Sequence, residues 1–132
     1  MLALLPTGTA DLVALGEVSE PSPTPNEALV AVEAFSVIRG ELLKLERGGW
    51  RPGKDVAGVV VEAAADGSGR GVGSRVVGHP PGGGWAERVA VRTDAMAPAG
   101  EVAAETAAAL PLAGLRERRV TGNAVLTTGV TT

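Results

Sequence analysis

Glycine and proline decide what this chain can fold into. Nineteen glycines and nine prolines interrupt runs rich in Val, Ala and Leu about every ten residues, a spacing that leaves room for short strands and little for long helices. The expected class is therefore mainly β, with a few short helices. With 132 residues and 45% hydrophobic content, the chain can bury one modest core, so a single domain over residues 1–132 is predicted. A net charge of −3 and an aromatic content of 2% provide neither a basic face for phosphates nor a stacking platform, which argues against nucleic-acid binding. There is no cysteine, hence no disulfide framework, and the apolar start Met1–Leu5 is too short for a signal core or a membrane span. No membrane association and a cytoplasmic location are the corresponding expectations.

Local patterns refine the class. Leu2–Leu5 and Leu12–Val18 flank Pro6-Thr7-Gly8 as an opening hairpin, and the proline-rich 19–26 stretch reads as a surface loop. Glu27–Val37 is the clearest strand, with Ala28, Val30, Val32 and Ala34 on one face and Leu29, Ala31, Glu33 and Phe35 on the other. Helical turns are predicted over Arg39–Arg47, ending at Gly48-Gly49, and over Val102–Leu110, stopped by Pro111. Asp55–Ala64 reads as a strand in which Gly58 marks a bend or a close backbone approach. Residues 66–73 form a hairpin-type connection, and two further strands, Arg75–Val77 and Trp85–Val91, lie on either side of Pro80-Pro81-Gly82-Gly83-Gly84.

The glycines do not form a phosphate loop. Neither G-x-G-x-x-G nor G-x-x-x-x-G-K-[ST] occurs: after Gly67 and Gly69 the third glycine position is Val72, and after Gly82 and Gly84 it is Glu87. Both clusters fall between strands, where no helix N-terminus follows to hold an anion, so they read as turns. With one histidine and no cysteine, a zinc site would need mostly carboxylate ligands, and no metal is expected. His79, at the end of Arg75-Val76-Val77-Gly78, is the one side chain whose ordinary pKa lies near neutrality. It is either a strand-end histidine bonded to backbone or water, or a site residue acting as a general acid/base or as a polar contact to a ligand.

Four linked motifs carry a resemblance: Pro52-Gly53-Lys54-Asp55-Val56-Ala57-Gly58-Val59-Val60, Gly73-Ser74-Arg75-Val76-Val77-Gly78, Gly83-Gly84-Trp85-Ala86-Glu87-Arg88-Val89-Ala90-Val91, and Ala108-Ala109-Leu110-Pro111-Leu112-Ala113-Gly114-Leu115. In order and spacing they resemble the medium-chain dehydrogenase/reductase superfamily, over residues 1–115, and its zinc-independent quinone oxidoreductase and enoyl reductase branch in particular. The resemblance implies a GroES-like catalytic domain, a partly open β-barrel, whose cleft against a Rossmann domain holds NADPH and an electron-poor substrate. Zinc alcohol dehydrogenases carry His-Glu where this chain has Lys54-Asp55. Two departures concern the nicotinamide: Ile38 stands where the branch has asparagine, and Arg116 where it has threonine after the LPxAGL run.

The end of the chain has two readings. Ala124–Thr131 is similar to the first strand of a Rossmann domain, but only ten residues separate Gly114 from Val125, too few for the intervening helix of several turns. The preferred reading takes 116–132 as the family's last segment, an arginine-rich turn and a closing strand of the same domain. The nucleotide-binding domain is then expected to be missing, with Leu115-Arg116 a join between two pieces that meet in space.

Three functions follow from that expectation. The chain is the substrate domain of an NADPH-dependent reductase, binding no cofactor alone and relying on a separate Rossmann partner; or a cofactor-free cyclase, isomerase or lyase reusing the cleft; or a non-catalytic binding or scaffold module. Self-association or a small-molecule ligand is expected to cover the apolar face left open. The resemblance implies His79, Arg39 and Glu41 as catalytic candidates and Ile38, Trp50, Asp55 and Trp85 as cleft candidates, with Lys54 also available for proton transfer. Each also has an ordinary role: Arg39 and Glu41 in a solvated helix start, Trp50 and Trp85 in packing, Asp55 in a turn or cap.

Overall fold

In the computed structural model, residues 1–37, 45, 50–108 and 124–127 are described, the last four by their backbone alone. Their order is β1 (Leu2–Pro6), β2 (Val13–Glu17), β3 (Glu27–Val37), β4 (Val56–Glu62), β5 (Arg75–Gly78), β6 (Arg88–Arg92), a 3-10 turn (Thr93–Ala95), β7 (Met96–Pro98), α1 (Ala104–Ala107) and β8 (Ala124–Thr127). β1 and β2 form the expected hairpin, and the remaining strands form one sheet in the order β6-β3-β4-β5-β7, with β8 also on β3. The sheet curls into a partly open barrel. The helical turns predicted for 39–47 lie outside the described residues except for Leu45, which is buried in the main core.

β3 organises the sheet because it is long enough to pair with three strands. β4 runs along one edge, from Leu29↔Glu62 to Phe35↔Val56. The other edge is divided end to end: β6 takes Glu27 to Ala31 and β8 takes Ala34 to Val37. All of these pairings are antiparallel. The two strands flanking the Pro80–Gly84 turn do not pair with each other; β5 pairs with β4 and β7, and β6 with β3. Trp85 lies before β6 rather than in it, and β7 is a short strand that the sequence reading did not anticipate.

A bulge corrects the expected two-faced pattern of β3. The β3–β4 register shifts between Val32 and Ala34, and an extra residue in one strand moves everything beyond it to the opposite face. Ala28, Val30 and Val32 therefore share the main core with Phe35 and Val37, together with Val56, Val60, Val76, Trp85, Val89 and Val91. Ala34 turns to the other side, where it packs with Ala57, Ala99, Ala107 and Ala108. Four-residue α1 covers this second face with alanines, whose small side chains let helix and sheet backbones come close.

The opening loop is tied to the sheet by charge. Arg88 on β6 donates from Nε and Nη2 to the two Glu20 carboxylate oxygens at 2.6 and 2.7 Å, and the N-terminal amine lies 3.5 Å from the same carboxylate. The Arg88 hydrogen bonds, followed by its charge, lower the Glu20 pKa from 4.5 to about 2. A depressed carboxyl contributes stability that is fully present above its unfolded pKa and lost as pH falls through the folded one. The difference in Tm between wild type and Glu20→Gln is thus expected to be constant above about pH 5 and to vanish as pH approaches 2. The carboxylate side chain is 52% exposed, so solvent screening keeps the difference small. Thermal melts of both proteins across that range check it.

Candidate functional site

The register of the sheet creates a row of three polar residues on the helix-covered face. Ala34 pairs with Ala57 and Ala57 with Val77, giving an apolar row across β3, β4 and β5. Two residues further along each strand, on the same face, the next row reads Ser36, Asp55, His79. The Ser36 amide donates to the Asp55 carbonyl at 3.1 Å, continuing the ladder one residue before the start of β4 at Val56.

These side chains bond to one another. Ser36 Oγ donates to Asp55 Oδ2 at 3.2 Å, and His79 Nδ1 lies 2.9 Å from Asp55 Oδ1. Ser36 and Asp55 are both 0% exposed and are the buried polar residues among the described ones, apart from residues whose side chains are not described. The His79 side chain is 39% exposed, so the ring connects a fully buried carboxylate to solvent. A buried carboxylate needs hydrogen-bond donors on its oxygens; Ser36 supplies one and His79 the other. The ring is also fixed from its backbone, because the His79 amide donates to the Ala95 carbonyl at 2.9 Å and Pro80 follows it fully buried.

Chemically, an imidazole whose Nδ1 is held by a carboxylate has a fixed orientation, with Nε2 directed away from that carboxylate. The row can accept and return a proton. It is not a Ser–His nucleophile pair, because Ser36 and His79 bind opposite oxygens of Asp55 and Ser36 is fully buried.

The other sequence candidates are placed elsewhere. Trp85 is 3% exposed and belongs to the main core, with its ring stacked on Phe35 at a centroid distance of 5.5 Å and its Nε1–H donated to the Ser36 carbonyl at 3.2 Å. Its indole is a packing element directly beneath the polar row, in the ordinary role considered for it rather than on an open cleft wall. Trp50 is half-buried against the same core, and Lys54 is half-buried beside Asp55. Ile38, Arg39 and Glu41 lie outside the described residues. Ser36 was not among the sequence candidates; its signal, a lone hydroxyl inside the apolar run Ala34-Phe35-Ser36-Val37, acquires meaning only once the bulge has set its face.

The Pro80–Gly84 turn is held by backbone packing. Gly83 N–H bonds to Arg51 O, Gly84 N–H to Gly53 O and Trp85 N–H to Pro52 O, all at 3.0 to 3.2 Å. Gly53 has φ +115°, and a Cβ there would lie 2.4 Å from the Trp85 nitrogen. In the other glycine cluster, Gly67 and Gly73 donate to Ala64 O and Val60 O, and Asp66 places an anion beside it, with its carboxyl pKa lowered by hydrogen bonds from the Ser68 hydroxyl and amide. Each cluster leads into a strand, β5 or β6, with no helix N-terminus to complete a pyrophosphate site among the described residues. Among the described residues no three His, Asp or Glu side chains gather to hold a metal ion, and no helix is long and apolar enough to cross a membrane. A shallow groove of about 420 Å³, lined by Met1, Pro21, Arg51, Pro81, Arg88 and Val89 among others, lies apart from the polar row.

Comparison with known proteins gives the fold a family. The alcohol dehydrogenase GroES-like domain model matches residues 24–101. Among solved structures, the chain is similar to the quinone oxidoreductase from Coxiella burnetii (23% identity, TM-score 0.75, covering 86% of this chain and 41% of that one). It is similar to the CurK enoyl reductase (18% identity, TM-score 0.80, 87% and 40%) and to mycobacterial Rv1454c complexed with NADPH (25% identity, TM-score 0.76, 88% and 39%). The chain therefore spans about two fifths of the length of these structures. No curated protein sequence matches it.

Proposed function

We propose, from the premise that this chain belongs to the alcohol dehydrogenase GroES-like domain family, that it is the substrate-side domain of a quinone oxidoreductase or enoyl reductase-like protein. The observation that carries this reading is the family match over 24–101, together with the likeness of the whole curled sheet to a quinone oxidoreductase and an enoyl reductase. NADPH, which the mycobacterial relative binds, is held by a nucleotide-binding domain outside these residues, on this or another polypeptide. Both glycine clusters lead into strands rather than helix N-termini, which supports that division of labour. Residues 116–132 belong to the substrate domain in this reading, since β8 pairs with the centre of its sheet through Ala34↔Thr127 to Val37↔Ala124.

The substrate class is an electron-poor carbonyl compound, a quinone or a conjugated enone. Isothermal titration of the 132-residue chain with NADPH is expected to give no saturable binding below the millimolar range. Reduction of a quinone or enone, followed by loss of NADPH absorbance, is expected only when a nucleotide-binding domain is added. Micromolar NADPH binding by the chain alone would overturn the division proposed here. A cofactor-free reading is favoured by one observation, the Asp55–His79 pair.

A further inference from the structure

We propose that His79, held by Asp55, is a general base that moves protons at carbon next to a carbonyl group, an activity of this domain that needs no nucleotide. The inference does not depend on the hydride-transfer reading above. It rests on three features of the polar row.

First, the carboxylate is fully buried while the ring bonded to it is 39% exposed. The ring thereby reaches the surface, and the group that orients it is shielded from competing water. Second, among the described residues no Lys or Arg forms an ion pair with Asp55, whose carboxylate accepts from Ser36 Oγ at 3.2 Å and lies 2.9 Å from His79 Nδ1. A proton delivered to Nε2 therefore arrives on a ring that is held directly against a carboxylate. Third, the ring has little freedom to turn away. Its amide is bonded to Ala95 O, Gly78 before it and Pro80 after it are buried, and the Asp55 carboxylate is itself braced by Ser36.

The arrangement also selects among reactions. Ser36 is buried on the far side of the carboxylate, so acyl transfer through a serine is ruled out by position. What remains is proton transfer, and a lone imidazole base removes protons from carbon only where a carbonyl group takes up the electron pair. The α C–H bond breaks, its pair moves to form the C=C bond of an enolate, the carbonyl π pair goes to oxygen, and the proton goes to His79 Nε2. Return of that proton to the α carbon exchanges hydrogen with solvent; return to the γ carbon shifts a double bond into conjugation. No oxidant or reductant takes part. The substrate class is a small ketone with an acidified α proton, such as a β,γ-unsaturated ketone.

The test uses the purified 132-residue chain and 3-cyclohexenone as probe, without nucleotide, following conjugation by ultraviolet absorbance and deuterium uptake from D2O by mass spectrometry. Wild type is expected to exceed His79→Gln by about 10² to 10⁴-fold; the glutamine amide still donates to Asp55, so the fold is kept. Imidazole added to His79→Gly is expected to restore rate, and Asp55→Asn to lose roughly tenfold or more with His79 in place. A merely structural histidine would not be rescued by free imidazole. Equal rates for wild type and His79→Gln would sink the proposal. Should that variant fail to fold, the nitrogen-15 resonances of the wild-type ring decide: a protonated Nδ1 beside an unprotonated Nε2 is required, and the reverse tautomer overturns the assignment.

Discussion

Adding a single methyl group at Gly58 is expected to cost this chain about 3 kcal/mol or more, a large share of the stability of a small domain. Gly58 sits in the middle of β4 opposite Val32, in the tightest part of the sheet. A Cβ built there would lie 2.0 Å from the Ala31 carbonyl oxygen and 2.9 Å from its carbon. Both atoms belong to the backbone of β3, so no side chain can swing aside to make room. The Gly58→Ala chain must separate β3 from β4, and β3 also carries β6 and β8, so the disturbance spreads to both edges. Gly71→Ala is the matched control, because a Cβ at Gly71 meets nothing within 4 Å; it is expected to be neutral or slightly stabilising. Urea denaturation of the two variants beside wild type checks both statements. A Gly58→Ala midpoint close to wild type would contradict the close approach.

Trp85→Ala is expected to destabilise by about 3 to 5 kcal/mol, the range for removing a buried aromatic side chain. Three losses coincide. The indole is 3% exposed within the main core, it stacks on Phe35 with an interplanar angle of 29°, and it satisfies the Ser36 carbonyl through Nε1. Trp85→Phe keeps most of the apolar volume but leaves that carbonyl without its donor, so a smaller loss of about 1 to 3 kcal/mol is expected. The phenylalanine variant is the more informative for function. Ser36 lies between Trp85 and Asp55, so a shift of its backbone would be felt at the His79 ring. A histidine resonance that moves in Trp85→Phe, at preserved circular dichroism, would connect core packing to the polar row; an unmoved resonance would show that the row is anchored by β4 and β5 alone.

Both predictions concern positions at which the sequence already gave a hint. Gly58 interrupts a β-branched run, where a missing side chain indicates a bend or a close approach, and the structure shows the approach. Trp85 carried two readings; its environment places it in the core. The polar row was less accessible. His79 and Asp55 could be singled out by residue type, but they are 24 positions apart and Ser36 is 19 from Asp55, distances that no local periodicity links. The bulge in β3 obscured them further, since strict alternation assigns Ala34 to the face of Val32, whereas the register shift turns it away.

The sequence by itself determined the class and the family. Closely spaced glycines and prolines limit the chain to short strands, and four motifs in order resemble those of the family whose domain model matches residues 24–101. These are local properties: turn conformations, apolar runs and missing side chains can be read residue by residue. Only the tertiary structure decided that β3 is shared among β4, β6 and β8, that the Gly83 and Gly84 amides are bonded to the 51–53 backbone, and that Ser36, Asp55 and His79 form one row with a single half-exposed member. The physical reason is that a hydrogen bond between strands depends on register, and register is fixed by the packing of both sheet faces at once.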